Sequence, residues 1–228
     1  MNNPPQIYII VPCFNEKAVL RQTLLPLIEQ KYNVVVVDDC SSDASQEALK
    51  NLPIYYLQHS INLGQGAALQ TGMNFAQQQG ADIVVHFDAD GQHPANEIPD
   101  LIQPILDEVA DVVLGSRFLD KTKIENVPFK KRILLQAACW VNGWITGLWL
   151  TDAHNGFRAL NRKALQNIYL TENRMAHATE ILSLIKKANL RVKEIPVTIS
   201  YTEYSMQKGQ SIWNAVNILF DLFKKRWL

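Results

Sequence analysis

Residues 7–39, IYIIVPCFNEKAVLRQTLLPLIEQKYNVVVVDD, spell out a complete strand–helix–strand unit. IYIIVP (7–12) and VVVVDD (34–39) are short unbroken apolar runs, the pattern of strands covered on both faces of a parallel sheet. Between them, Leu20, Leu24, Leu27 and Ile28 recur at spacings that fall on one side of a helix. Pro26 is expected to end or kink that helix, because it brings no N–H to the preceding turn.

The same rhythm continues outward. SSDASQEALKNL begins a second helix, with Asp43 as its N-cap and Gln46 three residues on. IYYLQH (54–59), ADIVVHFD (81–88) and ADVVLGS (110–116) read as strands, separated by helices over GQGAALQTGMNFAQQQ and ANEIPDLIQPILDE. Alternation of this kind predicts an α/β fold, a doubly wound, mostly parallel sheet with helices on both faces. After residue 117 a polar connection leads to an apolar helix over 133–150, then TDAHNGFRALNRKAL, a helix through TEILSLIKKAN and a strand over 191–201. In the tail, Trp213, Val216, Phe220, Phe223 and Trp227 repeat at helical spacing. Without repeats or low-complexity linkers, the chain reads as one domain over 1–228. Residues 1–118 form a nucleotide half, 119–205 an acceptor half and 206–228 a C-terminal amphipathic helix.

Composition narrows the function. With 228 residues, 47% hydrophobic, 19% charged and no net charge, the chain is an ordinary globular one with no bulk attraction to nucleic acid. Its three scattered cysteines do not form a disulfide framework and suit a reducing cytosol. The N-terminus enters a strand without the pattern of a signal peptide. ILLQAACWVNGWITGLWL (133–150) carries no charge, but Gln136, Asn142, Thr146 and three tryptophans mark a buried or membrane-surface helix over a span.

Ligands of open α/β sheets bind at the carboxyl ends of the strands. PCFNE, DDCSSD, DADGQH and GSR all stand at such ends, so four polar clusters converge on one edge. In HFDADGQHP (86–94), Asp88 and Asp90 are two residues apart and project to one side of an extended chain. Such a pair is either an acidic turn or a seat for a hard cation such as Mg²⁺ or Mn²⁺, with Gln92 adding a neutral oxygen. Asp38 and Asp39 can accept bonds from a ribose or a base, or serve as solvated caps. In NLGQGAALQTG (62–72), Gly64 and Gly66 precede a helix N-terminus, the place for a phosphate. Arg117 and Arg158 suit a diphosphate, a phosphate or a carboxylate, and equally a surface ion pair. His154 reads either as a packing residue or as a contact to an anionic acceptor.

Taken in order, IIVPCFNE, VVVVDDCSSD, NLGQGAALQTG, HFDADGQHP, LGSRF, TDAHNGFRAL and KEIPV resemble the family-2 glycosyltransferases of GT-A fold. The likeness is greatest to the dolichol- and polyprenyl-phosphate mannose or glucose synthases. It implies that Asp88, Asp90 and Gln92 hold Mg²⁺ or Mn²⁺ on a sugar-nucleotide diphosphate. It implies that Asp39, with Asp38, Pro12 and Glu16, holds the nucleoside, and that Gly66 belongs to the donor site. Asp152 matches the acidic residue near the acceptor, often a catalytic base, and Arg117 and Arg158 match positions near phosphates. Three positions depart from the pattern, one of them His154, which is unusual within TDAHNGFR. Cys40 stands where the family usually has glycine, implying a tighter turn. In YTEYSMQKGQS, Lys208 takes the place of an arginine that clamps the diphosphate.

The resemblance implies an inverting transfer from GDP-mannose or a UDP-hexose to a polyprenyl phosphate. It places the enzyme in the cytoplasm, on the inner face of a membrane, against lipid or a small membrane partner protein. Either the tail, with Trp213, Phe220, Phe223 and Trp227 beside KKR, lies on that membrane, or it packs on the domain. The alternatives are transfer to a saccharide hydroxyl and a nucleotide-sugar-binding subunit without activity. A sugar-phosphate nucleotidylyltransferase requires a glycine- and arginine-bearing loop after the first strand, which VPCFNEKAVL lacks.

Overall fold

The structure is a computed structural model that describes residues 4–120, 139–153 and 155–200. Seven strands form one sheet: β1 (Ile7–Cys13), β2 (Asn33–Asp38), β3 (Tyr55–Gln58), β4 (Ile83–His86), β5 (Val112–Ser116), β6 (Arg158–Asn161) and β7 (Val192–Pro196). Their order is β3-β2-β1-β4-β6-β5-β7, with β6 antiparallel to both neighbours and the other pairs parallel. The helices are α1 (Lys17–Glu29), α2 (Ser45–Ala48), α3 (Gln65–Gln78), α4 (Ile98–Leu106), a helix α5 described over 139–146, α6 (Arg162–Asn167) and α7 (His177–Lys187).

The unbroken apolar runs do what both-face burial requires. Ile9 and Val11 of β1 and Val34 and Val36 of β2 point to one side, where Leu20, Leu24 and Leu27 of α1 and Ile98 and Leu101 of α4 cover them. Tyr8, Ile10, Val35 and Val37 point to the other, under Leu69 and Met73 of α3 and Ile181 and Ile185 of α7. Period two in the strand meets a helical stripe on each face, giving three layers. Adjacent strands β1 and β4 send their chains in opposite directions across the sheet, so the switch point lies between their carboxyl ends.

Three local expectations change. Pro26 does not end α1, which runs on to Glu29; in the last turn a missing N–H leaves most of the helical ladder intact. Asp43 accepts from Ser45 N, but its other oxygen accepts from Lys17 N, the first residue of α1, at 2.9 Å. It therefore caps the neighbouring helix, while α2 follows Ala44 at φ 57°. The strand RALN, β6, is not legible in the sequence, since four residues leading into a helix carry no period of their own.

Asp111 holds that inserted strand in place. Its buried carboxylate accepts from Arg191 N, Nε and Nη2, from Asn161 Nδ2 and from Lys163 Nζ, joining the starts of β5 and β7 to the end of β6. The Arg191 hydrogen bonds hold this carboxyl far below the ordinary range against the opposing effect of burial. A depressed carboxyl stabilises the fold above its unfolded value, near pH 4, and that contribution is lost as pH falls further. Asp111→Asn is thus expected to lower Tm at neutral pH, with the gap to wild type starting to narrow only in melts recorded below about pH 4 and narrowing further the more acid the solution.

Candidate active site

A cavity of about 590 Å³ opens at the carboxyl ends of β1, β2 and β4, a volume typical of small-molecule sites. Pro12, Cys13, Phe14 and Glu16 line it from the end of β1, and Asp39 from the end of β2. Asn62, Gly64 and Gln65 enter ahead of α3, and Asp88, Asp90 and Gln92 follow β4. Arg174 and Met175, from the turn before α7, complete the wall.

Asn15 locks the first two loops together. Its side-chain oxygen accepts from Ser42 N and Asp43 N, and its own N–H donates to Ser41 Oγ at 2.8 Å. Cys40 occupies the left-handed region at φ 64°, so the backbone bend that glycine favours is kept with a side chain on it.

Asp88 and Asp90 meet at the cavity with different partners. Asp88 accepts from Gln65 Nε2 at 2.9 Å and lies 3.6 Å from His93 Nε2. His93 is itself fixed by stacking on Phe157, ring centres 4.9 Å apart. A Cβ on Gly156 would come within 2.5 Å of Asp88 Oδ2, so only glycine lets the carboxylate settle there. Burial opposes ionisation of Asp88, but His93 and the Arg158 guanidinium outweigh it and keep the carboxyl low. Asp90 moves the other way, raised first by burial and then by the charge of Asp88. Two carboxylates driven apart like this are a site short of positive charge. Gln92 leans on Asp90, donating from Nε2 at 2.6 Å and from its backbone N–H, so its amide nitrogen is already spent on that carboxylate.

Asp39 is buried and accepts from Leu63 N (2.8 Å), Gly64 N (2.7 Å) and His59 Nδ1 (2.8 Å). It is both a wall of the cavity and the strut that shapes the loop entering α3. Asp38 is not among the lining residues; it accepts from Ser41 N and Tyr56 Oη underneath. Gly66 also lies behind the wall. A Cβ there would sit 2.1 Å from the Glu172 carbonyl, so its function in the fold is to let the segment carrying Arg174 close onto α3.

The profile of the family described as glycosyl transferase family 2 matches residues 8–169. The chain belongs to that family. It is 31% identical over 236 residues to a UDP-N-acetylglucosamine--dolichyl-phosphate N-acetylglucosaminyltransferase of Methanococcus voltae, covering 95% of this chain and 94% of that one. It is 30% identical to a dolichol-phosphate mannosyltransferase of Pyrococcus furiosus, covering 96% of this chain and 64% of that one. In fold it is similar to glucosyl-3-phosphoglycerate synthase from Mycobacterium tuberculosis, solved with Mn²⁺ and UDP, at TM-score 0.69 and 18% identity over 96% of this chain and 77% of that one. The sheet is therefore the GT-A type that the sequence motifs resemble.

In this glycosyltransferase, Asp152 and Arg117 find each other instead of the cavity. Arg117 donates to Asp152 from Nε at 2.6 Å, from Nη2 at 2.8 Å and from its backbone N–H at 3.1 Å, and neither residue is among the lining ones. The turn holding Asp152 is set by Glu194 of β7, which accepts from Thr151 N, Thr151 Oγ1 and Asp152 N. Arg158 is also buried, its Nε donating to the Asn155 carbonyl. Burial lowers its affinity for the proton to about 10, opposed by Asp88 and Asp152. Neither arginine is a surface ion pair. Lys208 and His154 lie outside the described residues, as do 206–228.

Sequence reading passed over Asn62, Gln65 and Arg174. Gln65 sits inside a quoted motif, where its pairing with Asp88 was recoverable only from the fold. Arg174 has no local signature at all; the packing of Gly66 brings it in. As for a cation, Glu16, Asp39, Asp88 and Asp90 line the cavity against one guanidinium, that of Arg174, among the described residues. An anionic diphosphate entering such a pocket needs added positive charge. Asp88 and Asp90 present hard oxygens of the kind Mg²⁺ and Mn²⁺ take, and the described residues hold no cluster of three or more acidic, histidine or cysteine side chains that could enclose a metal. The residues fit a cation shared between protein and ligand.

Proposed function

We propose that the chain transfers a sugar, with inversion at the anomeric carbon, from GDP-mannose or a UDP-hexose to a polyprenyl phosphate at the cytoplasmic face of a membrane. The observation carrying this reading is the acidic cavity at the β1/β4 switch point, whose carboxylates would repel a diphosphate that came without a cation. The names of the Methanococcus and Pyrococcus relatives support the lipid-phosphate acceptor.

Asp88 and Asp90 would hold Mg²⁺ or Mn²⁺ and Gln92 would offer its amide oxygen; the ion would supply charge to stabilise the departing nucleoside diphosphate. Asp39, Glu16 and Pro12, which line the cavity, would hold the nucleoside, and Arg174, also on its wall, would meet the phosphates. Asp152 already accepts three hydrogen bonds from Arg117, leaving little lone-pair capacity for a proton. A phosphate acceptor suits that arrangement, since its second pKa of about 6 leaves it largely anionic near neutral pH. A hydroxyl acceptor needs a base, and Asp152 would first have to release Arg117. In the phosphate reading, Asp152 holds Arg117 in place behind the wall, and Arg117 and Arg158 would act on the acceptor only through the field of their buried charge.

The test is a panel of UDP- and GDP-sugars with Mg²⁺ or Mn²⁺ and a polyprenyl phosphate in detergent, with nucleotide release and glycolipid followed together. Nucleotide release with a free saccharide acceptor, and none with the lipid phosphate, sinks the proposal. Arg174→Ala is expected to raise the KM for the nucleotide-sugar about tenfold, the worth of one charge-assisted contact. An unchanged KM places the phosphates elsewhere.

A further inference from the structure

Helix α5 is turned inside out. Toward the protein it presents Cys139, Asn142 and Thr146, exposed by only 6%, 3% and 7%. Asn142 Nδ2 faces Thr179 Oγ1 of α7 at 3.5 Å. Outward it presents Trp140 and Trp144, exposed by 67% and 74% and one helical turn apart. Trp149, 61% exposed, packs edge-on against Trp140 with ring centres 5.8 Å apart. A water-facing helix puts its small polar residues outside and its indoles inside; tryptophan is on average a highly buried residue. The reverse arrangement fits an environment that is apolar at one end of the ring and wet at the other.

Positive charge borders the same platform. Lys186 and Lys187 are exposed at the end of α7. The Lys186 side chain runs beside the turn after α5, where a Cβ on Gly147 would lie 3.7 Å from Lys186 Cε. No helix among the described residues is long and apolar enough to cross a membrane, so the indoles are not the flank of a described span. We infer that Trp140, Trp144 and Trp149, with Lys186 at the rim and Lys187 next to it in the last turn of α7, dock on a lipid–water interface carrying anionic headgroups. Indole rings enter the headgroup region while the ammonium groups meet lipid phosphates. The purpose of such docking rests on the lipid acceptor proposed above; the docking itself does not.

The test is cosedimentation of the full chain with vesicles of phosphatidylglycerol and phosphatidylcholine, without donor or acceptor. Wild type is expected to pellet with them, and Trp140→Gln/Trp144→Gln to bind about tenfold or more weakly at an unchanged Tm. Lys186→Gln/Lys187→Gln is expected to weaken binding to these vesicles while leaving any residual binding to pure phosphatidylcholine as it was. The inference is overturned if wild type stays in the supernatant, or if the tryptophan variant pellets as wild type does, which would assign binding to another part of the chain. It is equally overturned if the variant abolishes a dimer in analytical ultracentrifugation, which would make the face a contact between copies. Vesicle binding without any transfer to a lipid phosphate sinks the acceptor proposal alone. Transfer in detergent without vesicle binding sinks the docking alone.

Discussion

Asp90→Asn is expected to lower cation-dependent sugar transfer by about a thousandfold or more while leaving the fold intact. The size follows from where the charge goes. A cavity walled by Glu16, Asp39, Asp88 and Asp90 repels a departing diphosphate, and only a cation seated on Asp88 and Asp90 reverses that field. The fold should survive because the hydrogen bonds shown for Asp90 come from Gln92, two residues away, and none of the core depends on them. Asp88→Asn is expected to be similarly inactive, with a greater loss of stability, since Asp88 also anchors Gln65 at the start of α3. Full activity of Asp90→Asn, measured as glycolipid formed across a Mn²⁺ titration, ends the cation assignment.

Asp152→Ala is expected to cost about 3–5 kcal/mol, the usual penalty for removing one partner of a buried ion pair. In a chain of this size that is a fall of roughly 6–20 °C in Tm. Arg117, only 9% exposed, would lose the carboxylate that accepts from its Nε, its Nη2 and its backbone N–H. Asp152→Asn retains the shape and an accepting oxygen and is expected to lose less. The pair of melts matters for reading activity data. Lost transfer in Asp152→Ala reflects an unfolding scaffold unless Asp152→Asn, still folded, is also inactive. If Asp152→Ala melts with wild type, the Arg117 contact is not part of the working state.

Much of the site was legible because chemistry and position coincided in short segments. Asp88, Asp90, Asp39 and Glu16 follow strands whose apolar runs locate them, Pro12 stands near the end of one, and all five line the cavity. Asp38 and Gly66 belong to the same motifs yet sit behind the wall. A motif fixes residue type and spacing; which member faces the ligand depends on what competes for it, here Tyr56 for Asp38 and the Glu172 carbonyl for the space beside Gly66. Arg117 and Asp152 show the same limit. Each reads alone as a group for a ligand, and nothing in the sequence between them states that they satisfy each other.

The sequence by itself determined the α/β class, the edge of the sheet at which the cavity opens and the acidic pair that lines it. Those follow from local physics, since burial on two faces demands unbroken apolar runs and their ends are where polar residues can collect. Only the tertiary structure decided that RALN slips in antiparallel between β4 and β5, that Arg174 reaches the cavity, that Asp152 is clamped by Arg117, and that α5 turns its tryptophans outward. Each depends on a partner distant in sequence, and the direction of a helix face or a guanidinium is set by what it packs against, which no local pattern encodes.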